Sequence, residues 1–188
     1  MSGSSDPEAA GEPDAAPVEP PRDSRRVFFA LWPDDATRTR IVRASKEAVR
    51  RCGGRPVAKD RLHVTVAFLG GLTPAGLEIA AAVPPIGVGA FALTLDRIGT
   101  FDATLWLGMR SVPTALAELE RRLWAALEAQ GFVRERRIYR PHMTLARRAR
   151  PVDVEVDAVD WPVSELALVE SLPVERNVYY EVLRTWPL

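Results

Sequence analysis

Apolar residues along this chain follow short alternating or continuous runs in some segments and helical spacing in others. The runs predict strands at residues 27–32, 62–68, 91–95, 104–108, 142–145, 165–170 and 178–183. Apolar positions three and four apart predict helices over residues 33–52, 73–83 and 114–130, and residues 99–102 are expected to form a turn. The resulting order, βαβαββαβββ, predicts an α+β fold with two similar antiparallel halves flanking a central cleft.

The N-terminal segment has a different composition from the rest of the chain. Residues 1–24 are rich in proline, alanine and glycine, lack aromatic residues, and carry six of the 25 acidic residues but only one of the 25 basic ones. Such a segment cannot bury enough apolar surface to order itself, so we predict a disordered acidic tail over 1–24 and a folded domain over 25–188. The remaining, arginine-dominated part is mildly basic, which is compatible with a phosphate-bearing partner.

Localisation signals are lacking in the sequence as it stands. The tail has neither the basic nor the apolar region of a secretory signal, and no apolar run approaches the roughly 18–20 residues that span a membrane. The single cysteine, Cys52, excludes an intramolecular disulfide. We therefore expect a cytoplasmic, monomeric protein without membrane association.

The chain contains two histidines, and both begin the same four-residue pattern. The two copies read His63-Val64-Thr65-Val66 and His142-Met143-Thr144-Leu145. Because residues i and i+2 of a strand point to the same face, each histidine shares a face with its threonine. The intervening apolar residues, together with Phe68, are expected to face the core. Two such strands, one from each half, would bring two imidazoles and two hydroxyls into one cleft.

Two imidazoles and two hydroxyls match the needs of phosphodiester hydrolysis. The nucleophile and the leaving oxygen lie on opposite sides of the phosphorus, so a base and an acid must flank it. Imidazole titrates near neutrality, which allows one ring to accept a proton while the other donates one. Threonine hydroxyls are suited to hydrogen-bonding the non-bridging oxygens as charge develops there.

The paired His-x-Thr-x motifs resemble those of the two-histidine phosphoesterase superfamily. The surrounding stretches are similar to the RNA 2′,3′-cyclic phosphodiesterases, also called 2′-5′ RNA ligases, at residues 26–33, 62–70, 140–147, 167–171 and 180–188. The resemblance spans the chain from about residue 26 to its C-terminus. It implies hydrolysis of RNA 2′,3′-cyclic phosphate ends to 2′-phosphates, with no metal and no cofactor.

The resemblance also assigns roles to individual residues. It implies His63 as the proton donor and His142 as the proton acceptor, although the symmetry of the motifs does not fix that order. Thr65 and Thr144 correspond to phosphate-contacting threonines, and Arg147 corresponds to a basic position after the second motif. One departure is Arg61, where relatives often carry a neutral residue.

Several alternatives remain open at this point. The same histidines serve the reverse reaction, which joins RNA ends through a 2′-5′ bond, and a small cyclic nucleotide is another possible substrate. An RNA-binding module without catalysis is a third reading. Each of these residues also has a purely structural interpretation. The histidines would be ordinary hydrogen-bonded strand residues, the threonines would be present for their β-propensity, and Arg147 would be a solvated surface residue. Two histidines without a placed carboxylate make a poor zinc site.

Overall fold

The computed structural model describes residues 24–135, 137–174 and 177–188. The predicted tail therefore lies outside the described residues, apart from Ser24, and its disorder stays a prediction. In the described part of the chain no helix is both long enough and apolar enough to cross a membrane.

The three predicted helices are present, with bounds set by their caps. Helix α1 (Asp35–Cys52) begins after Asp34, whose carboxylate accepts a hydrogen bond from the Thr37 amide at 2.6 Å. It ends at Gly53, which adopts the left-handed conformation (φ 63°) that favours glycine. Helix α2 (Pro74–Ala81) is capped at its N-terminus by Thr73, and helix α3 (Thr114–Glu128) follows Pro113. Both helices end two residues earlier than the pattern predicts.

In the described residues, ten strands alternate with these helices. Their bounds are β1 Arg25–Leu31, β2 Arg55–Pro56, β3 Val64–Leu72, β4 Phe91–Leu95, β5 Arg97–Phe101, β6 Thr104–Gly108, β7 His142–Arg147, β8 Val159–Val163, β9 Glu165–Val174 and β10 Asn177–Pro187. Strands β2, β5 and β8 were not predicted. Strand β3 also continues beyond residue 68, through Gly70 and Gly71, to Leu72.

The turn predicted at residues 99–102 is wrong. Most of that segment belongs to β5, and the hairpin to β6 turns at Asp102 and Ala103, which have φ values of 47° and 57°. Two consecutive left-handed residues are the geometry of a two-residue hairpin turn whose twist matches the strands. The pattern missed the turn because neither residue is the glycine that usually signals it.

Eight strands form one antiparallel sheet, and two form a second. The order in the large sheet is β10-β9-β1-β3-β7-β6-β5, with β2 also paired to β7; β4 and β8 form the small sheet. One bridge pair, Val64 with Met143, joins the β10-β9-β1-β3 half to the β7-β6-β5 half. The predicted α+β class with two antiparallel halves is confirmed.

The two faces of the large sheet have different surroundings. One face carries fully buried residues such as Phe29, Leu107 and Met143, which belong to the main core together with the apolar positions of the helices. The opposite face holds a smaller cluster around Phe28 and Ala30, against which partly buried aromatic side chains pack. This second face carries the site described next.

Candidate active site

The two histidines lie where the halves of the sheet meet. His63 directly precedes β3 and His142 begins β7, so the Val64–Met143 bridge lies between the motifs. Continuing that antiparallel register places His63 opposite Thr144 and Thr65 opposite His142. The four side chains therefore form a square on one face, with the histidines on a diagonal that spans about 7–8 Å between Cα atoms.

An open cleft lies over this square. It has a volume of about 610 Å³ and is lined by both histidines, Thr65, Thr144 and Arg147. None of the described residues that line the cleft is an aspartate or a glutamate. Four of them are arginines: Arg26, Arg55, Arg61 and Arg147. A concave site with several guanidinium groups and no opposing carboxylate attracts anions such as phosphates.

Both imidazoles are held in the same orientation by backbone carbonyls. Nδ1 of His63 lies 2.8 Å from the carbonyl oxygen of Arg61, and Nδ1 of His142 lies 2.7 Å from that of Arg140. A carbonyl only accepts, so each Nδ1 carries a hydrogen and donates it. The nitrogen left for proton transfer is Nε2 in both rings.

His63 lies among aromatic rings. It stacks between Phe28 and Trp32, with ring centroids 5.0 and 5.2 Å away, and meets the edge-on ring of Tyr180 at 5.2 Å. Burial is the main cause that lowers the pKa of His63 to about 4, and the charges of His142 and Arg147 act in the same direction. The hydrogen bond to Arg61 opposes this shift only in part. In the free protein His63 is therefore neutral at pH 7.

His142 has fewer aromatic neighbours in the described structure. The ring of Phe101 meets it edge-on, with centroids 4.8 Å apart. Its neighbour across the strand pair is Gly108, which has no side chain to cover the imidazole. The two histidines thus share a backbone geometry and differ in their surroundings.

Matching bulges place two further side chains in the cleft. The register of β1 against β3 skips Val66, and the register of β6 against β7 skips Leu145. Each bulged residue is the last of its motif, and the extra residue reverses the alternation beyond it. Arg147 consequently lines the cleft, and so does Phe68, which simple alternation wrongly assigned to the core.

Arg61, Trp32 and Tyr139 also have defined positions around the two motifs. Arg61 lines the cleft while its guanidinium donates to the carbonyl of Val178 at 2.9 Å. Trp32 covers His63, and the Tyr139 hydroxyl donates to the Thr65 carbonyl at 3.1 Å, which ties the segment before β7 to the first motif. Trp106 is half-buried and pairs with Thr144 across strands β6 and β7.

Several cleft residues were not found from the sequence. They are Arg26, Phe28, Arg55, Phe101, Thr104, Ser171 and Tyr180. Arg26 and Phe28 alternate along β1, which is a usable signal, but the apolar run that contains Phe28 reads as wholly buried. Among the described residues, no group of three histidine, cysteine, aspartate or glutamate side chains is arranged to hold a metal ion.

Comparison with known proteins places this site in a family. The model of the 2′-5′ RNA ligase superfamily matches residues 33–175, which include both motifs. The RNA 2′,3′-cyclic phosphodiesterase of Escherichia coli is 31% identical over 170 residues, which cover 87% of this chain and 97% of that protein. This chain belongs to the 2′-5′ RNA ligase superfamily.

Other members of the superfamily agree in sequence and in fold. The RNA 2′,3′-cyclic phosphodiesterase of Thermus thermophilus is 26% identical, covering 87% of this chain and 90% of its own length. The crystal structure of E. coli LigT complexed with 3′-AMP has a TM-score of 0.76 at 29% identity, covering 88% of this chain and 98% of that one. The resemblance predicted from the two motifs is confirmed.

Proposed function

We propose that this protein is an enzyme that hydrolyses RNA 2′,3′-cyclic phosphate ends to 2′-phosphates. The observation that carries the proposal is the square of His63, Thr65, His142 and Thr144 in a cleft lined by arginines and by no carboxylate of the described residues. Relatives named RNA 2′,3′-cyclic phosphodiesterase support the same reaction.

In the proposed mechanism the cyclic phosphate lies between the two imidazoles. His142 Nε2 takes a proton from water as its oxygen attacks phosphorus, and His63 Nε2 gives a proton to O3′ as the P–O3′ bond breaks. The hydroxyls of Thr65 and Thr144 donate to the non-bridging oxygens, and Arg147 offsets their charge. The two imidazoles supply both proton transfers, so the mechanism uses no metal ion.

The donor role requires His63 to gain a proton before the chemical step. Burial and the charges of His142 and Arg147 lower its pKa to about 4 in the free protein. A bound phosphate anion next to His63 offsets the positive charge of Arg147 and favours the protonated ring, which raises the pKa. Substrate binding near neutral pH is therefore coupled to proton uptake. After the reaction, exchange with solvent returns a proton to His63 and removes one from His142.

The decisive experiment uses an RNA that ends in a 2′,3′-cyclic phosphate, incubated with excess EDTA. The expected product ends in a 2′-phosphate, which resists enzymes specific for 3′-phosphates. Failure of the wild-type protein to open the ring, or a 3′-phosphate product, would contradict the proposal. Matched His63→Ala and His142→Ala proteins control for a contaminating nuclease.

The second candidate function is formation of a 2′-5′ bond between two RNA ends, as the superfamily's name describes. It uses the same groups in the same roles, with a 5′-hydroxyl in place of water as the nucleophile that attacks phosphorus. An RNA-binding module without catalysis is distinguished by binding without turnover in the same assay. We further propose that the protein acts as a cytoplasmic monomer, because both motifs of one site come from one chain; light scattering after gel filtration tests the monomer.

A further inference from the structure

A second cavity adjoins the catalytic cleft on the His142 side. Its volume is about 510 Å³, and we call it the side pocket. Thr65, Phe68, Phe101 and His142 line both the cleft and the side pocket, whereas His63 lines only the cleft. The side pocket therefore adjoins the end of the catalytic square that Thr65 and His142 form.

The walls of the side pocket are suited to a flat aromatic group. Four aromatic residues contribute to them: Phe68, Phe101, Trp124 and Tyr139. Polar groups are available beside the rings, including the ion pair in which Arg134 donates to Glu120 at 2.5 Å. Aromatic walls with a few polar groups are what nucleobase-binding sites use.

The charges of the two cavities favour different parts of a nucleotide. The cleft has four arginines and no carboxylate among the described residues that line it. Among the described residues that line the side pocket, three carboxylates are balanced by three arginines: Asp102, Glu120 and Glu135 against Arg134, Arg137 and Arg140. A phosphate is thus favoured in the cleft and an uncharged base in the side pocket.

The chemistry of in-line displacement says which nucleoside belongs there. Attacking and leaving oxygens lie on opposite sides of the phosphorus, so the group that His142 deprotonates enters from the His142 side. Water needs no cavity of this size. The 5′-terminal nucleoside of a second RNA does need one, because its base must lie within a few bonds of the attacking 5′-oxygen.

We propose that the side pocket binds the base of a 5′-hydroxyl RNA acceptor during 2′-5′ bond formation. This rests on the proposed roles of His63 and His142. The 5′-oxygen forms a bond to phosphorus and its proton passes to His142 Nε2, while the P–O3′ bond breaks and His63 Nε2 protonates O3′. The product contains a 2′-5′ phosphodiester and a free 3′-hydroxyl, and no further reactant is required.

The test measures how the cyclic phosphate partitions between joining and hydrolysis. A radiolabelled RNA with a 2′,3′-cyclic phosphate is mixed with a 5′-hydroxyl oligonucleotide, and with the same oligonucleotide whose first nucleotide lacks a base. Ile138→Glu places a charge on the wall of the side pocket, since Ile138 is 82% exposed and lines it. Val133→Glu is the matched control, because Val133 is 88% exposed on the same segment and does not line either cavity.

We expect the ratio of joined to hydrolysed product to fall about tenfold when the acceptor lacks its first base, as for loss of one stacked base. Ile138→Glu should lower the ratio to a similar extent for the intact acceptor and have little effect with the abasic one. Val133→Glu should leave both ratios at the wild-type values. Ile138→Glu should also slow cleavage of a 2′-5′-linked dinucleotide, the reverse reaction, whereas Val133→Glu should not.

Equal ratios for wild type and Ile138→Glu, or for intact and abasic acceptors, would overturn the side-pocket proposal. So would a wild-type protein that hydrolyses the cyclic phosphate but neither forms nor cleaves the 2′-5′ bond. Absence of hydrolysis itself in wild type is a different result, because it removes the proposed function on which the pocket's role depends.

Discussion

The two halves of the sheet repeat one backbone arrangement and cover it with different side chains. In the His63 half, Trp32 lies beside the histidine and Ala30 pairs with the motif threonine. In the His142 half the large and small neighbours are exchanged: the small Gly108 pairs with the histidine, and the large Trp106 pairs with Thr144. One imidazole is thus enclosed by rings while the other adjoins the side pocket.

The bulges extend the comparison one step along each strand. Phe68 and Arg147 each lie three residues beyond a motif threonine and occupy equivalent positions in the cleft. One end of the symmetrical square therefore carries an aromatic ring, and the other carries a guanidinium. A repeated backbone supplies two equivalent proton-transfer groups, and the differing neighbours give them different roles.

The largest expected effects test whether the two histidines act as a pair. His63→Ala and His142→Ala should each lower kcat by roughly 10²–10⁴-fold, because each removes a general acid or base. The double variant should lose less than the product of the two, since both act in one step. Full activity in either single variant with a cyclic phosphate RNA would refute the mechanism.

A substrate whose leaving group needs no protonation separates the two roles. With it, His63→Ala should recover much of its rate and His142→Ala should not, because only the acid becomes dispensable. Recovery by His142→Ala instead would reverse the assignment of donor and acceptor.

The threonines are expected to show a smaller and more symmetrical effect. Thr65→Ala and Thr144→Ala should each lower kcat/KM by about 10–10³-fold, because each removes one donor to the phosphate. Thr→Ser variants, which keep the hydroxyl, should retain most of the activity. Steady-state kinetics on the four proteins checks this, and alanine variants as active as wild type would show that the hydroxyls do not contact the phosphate.

Arg147 tests the difference between the equivalent bulge positions. Arg147→Met should lower kcat/KM by roughly 10–100-fold, because a hydrogen bond to a charged group is lost. Arg148→Met is the matched control: Arg148 is the exposed next residue and does not line the cleft, so its replacement should have little effect. Equal losses in both variants would indicate general electrostatic attraction instead of a phosphate contact.

The aromatic cover of His63 predicts a pH dependence. Burial lowers the pKa of His63 to about 4. The limb of the pH profile of kcat/KM that reports loss of the His63 proton therefore lies near pH 4 in wild type. Trp32→Ala admits water to the ring, which favours the protonated form, so the pKa and that limb should move upward toward pH 6.5. NMR titration of the His63 ring and a pH–rate profile both report the shift. An unchanged limb would show that Trp32 does not control the protonation of His63.

The smallest effect is expected for the N-terminal tail, which belongs to neither half. Removal of residues 1–24 should leave the melting temperature and turnover nearly unchanged, because the tail lacks core-forming residues. Thermal unfolding and steady-state kinetics of the shortened protein check this. A drop of several degrees in Tm would show that the tail packs on the domain.

The sequence by itself determined the repeated motifs, the α+β class and most elements. Those inferences depend on local rules: alternation places His63 with Thr65, and caps such as Asp34 and Gly53 set helix ends. Two of the three unpredicted short strands, β2 and β8, depended on partners far along the chain. Strand β8, for example, pairs Trp161 with Leu93 and contains a proline, which counts against a strand in any local reading.

Only the tertiary structure decided which side chains surround the motifs. A bulge is defined by a partner strand, so the placement of Phe68 and Arg147 in the cleft was invisible to a period-two pattern. The enclosure of His63 likewise depends on three rings from distant parts of the chain. Phe28 lies on β1, Trp32 directly follows β1, and Tyr180 lies on β10. Local patterns specify the face on which a side chain lies, whereas its neighbours and its pKa depend on contacts between distant parts of the chain.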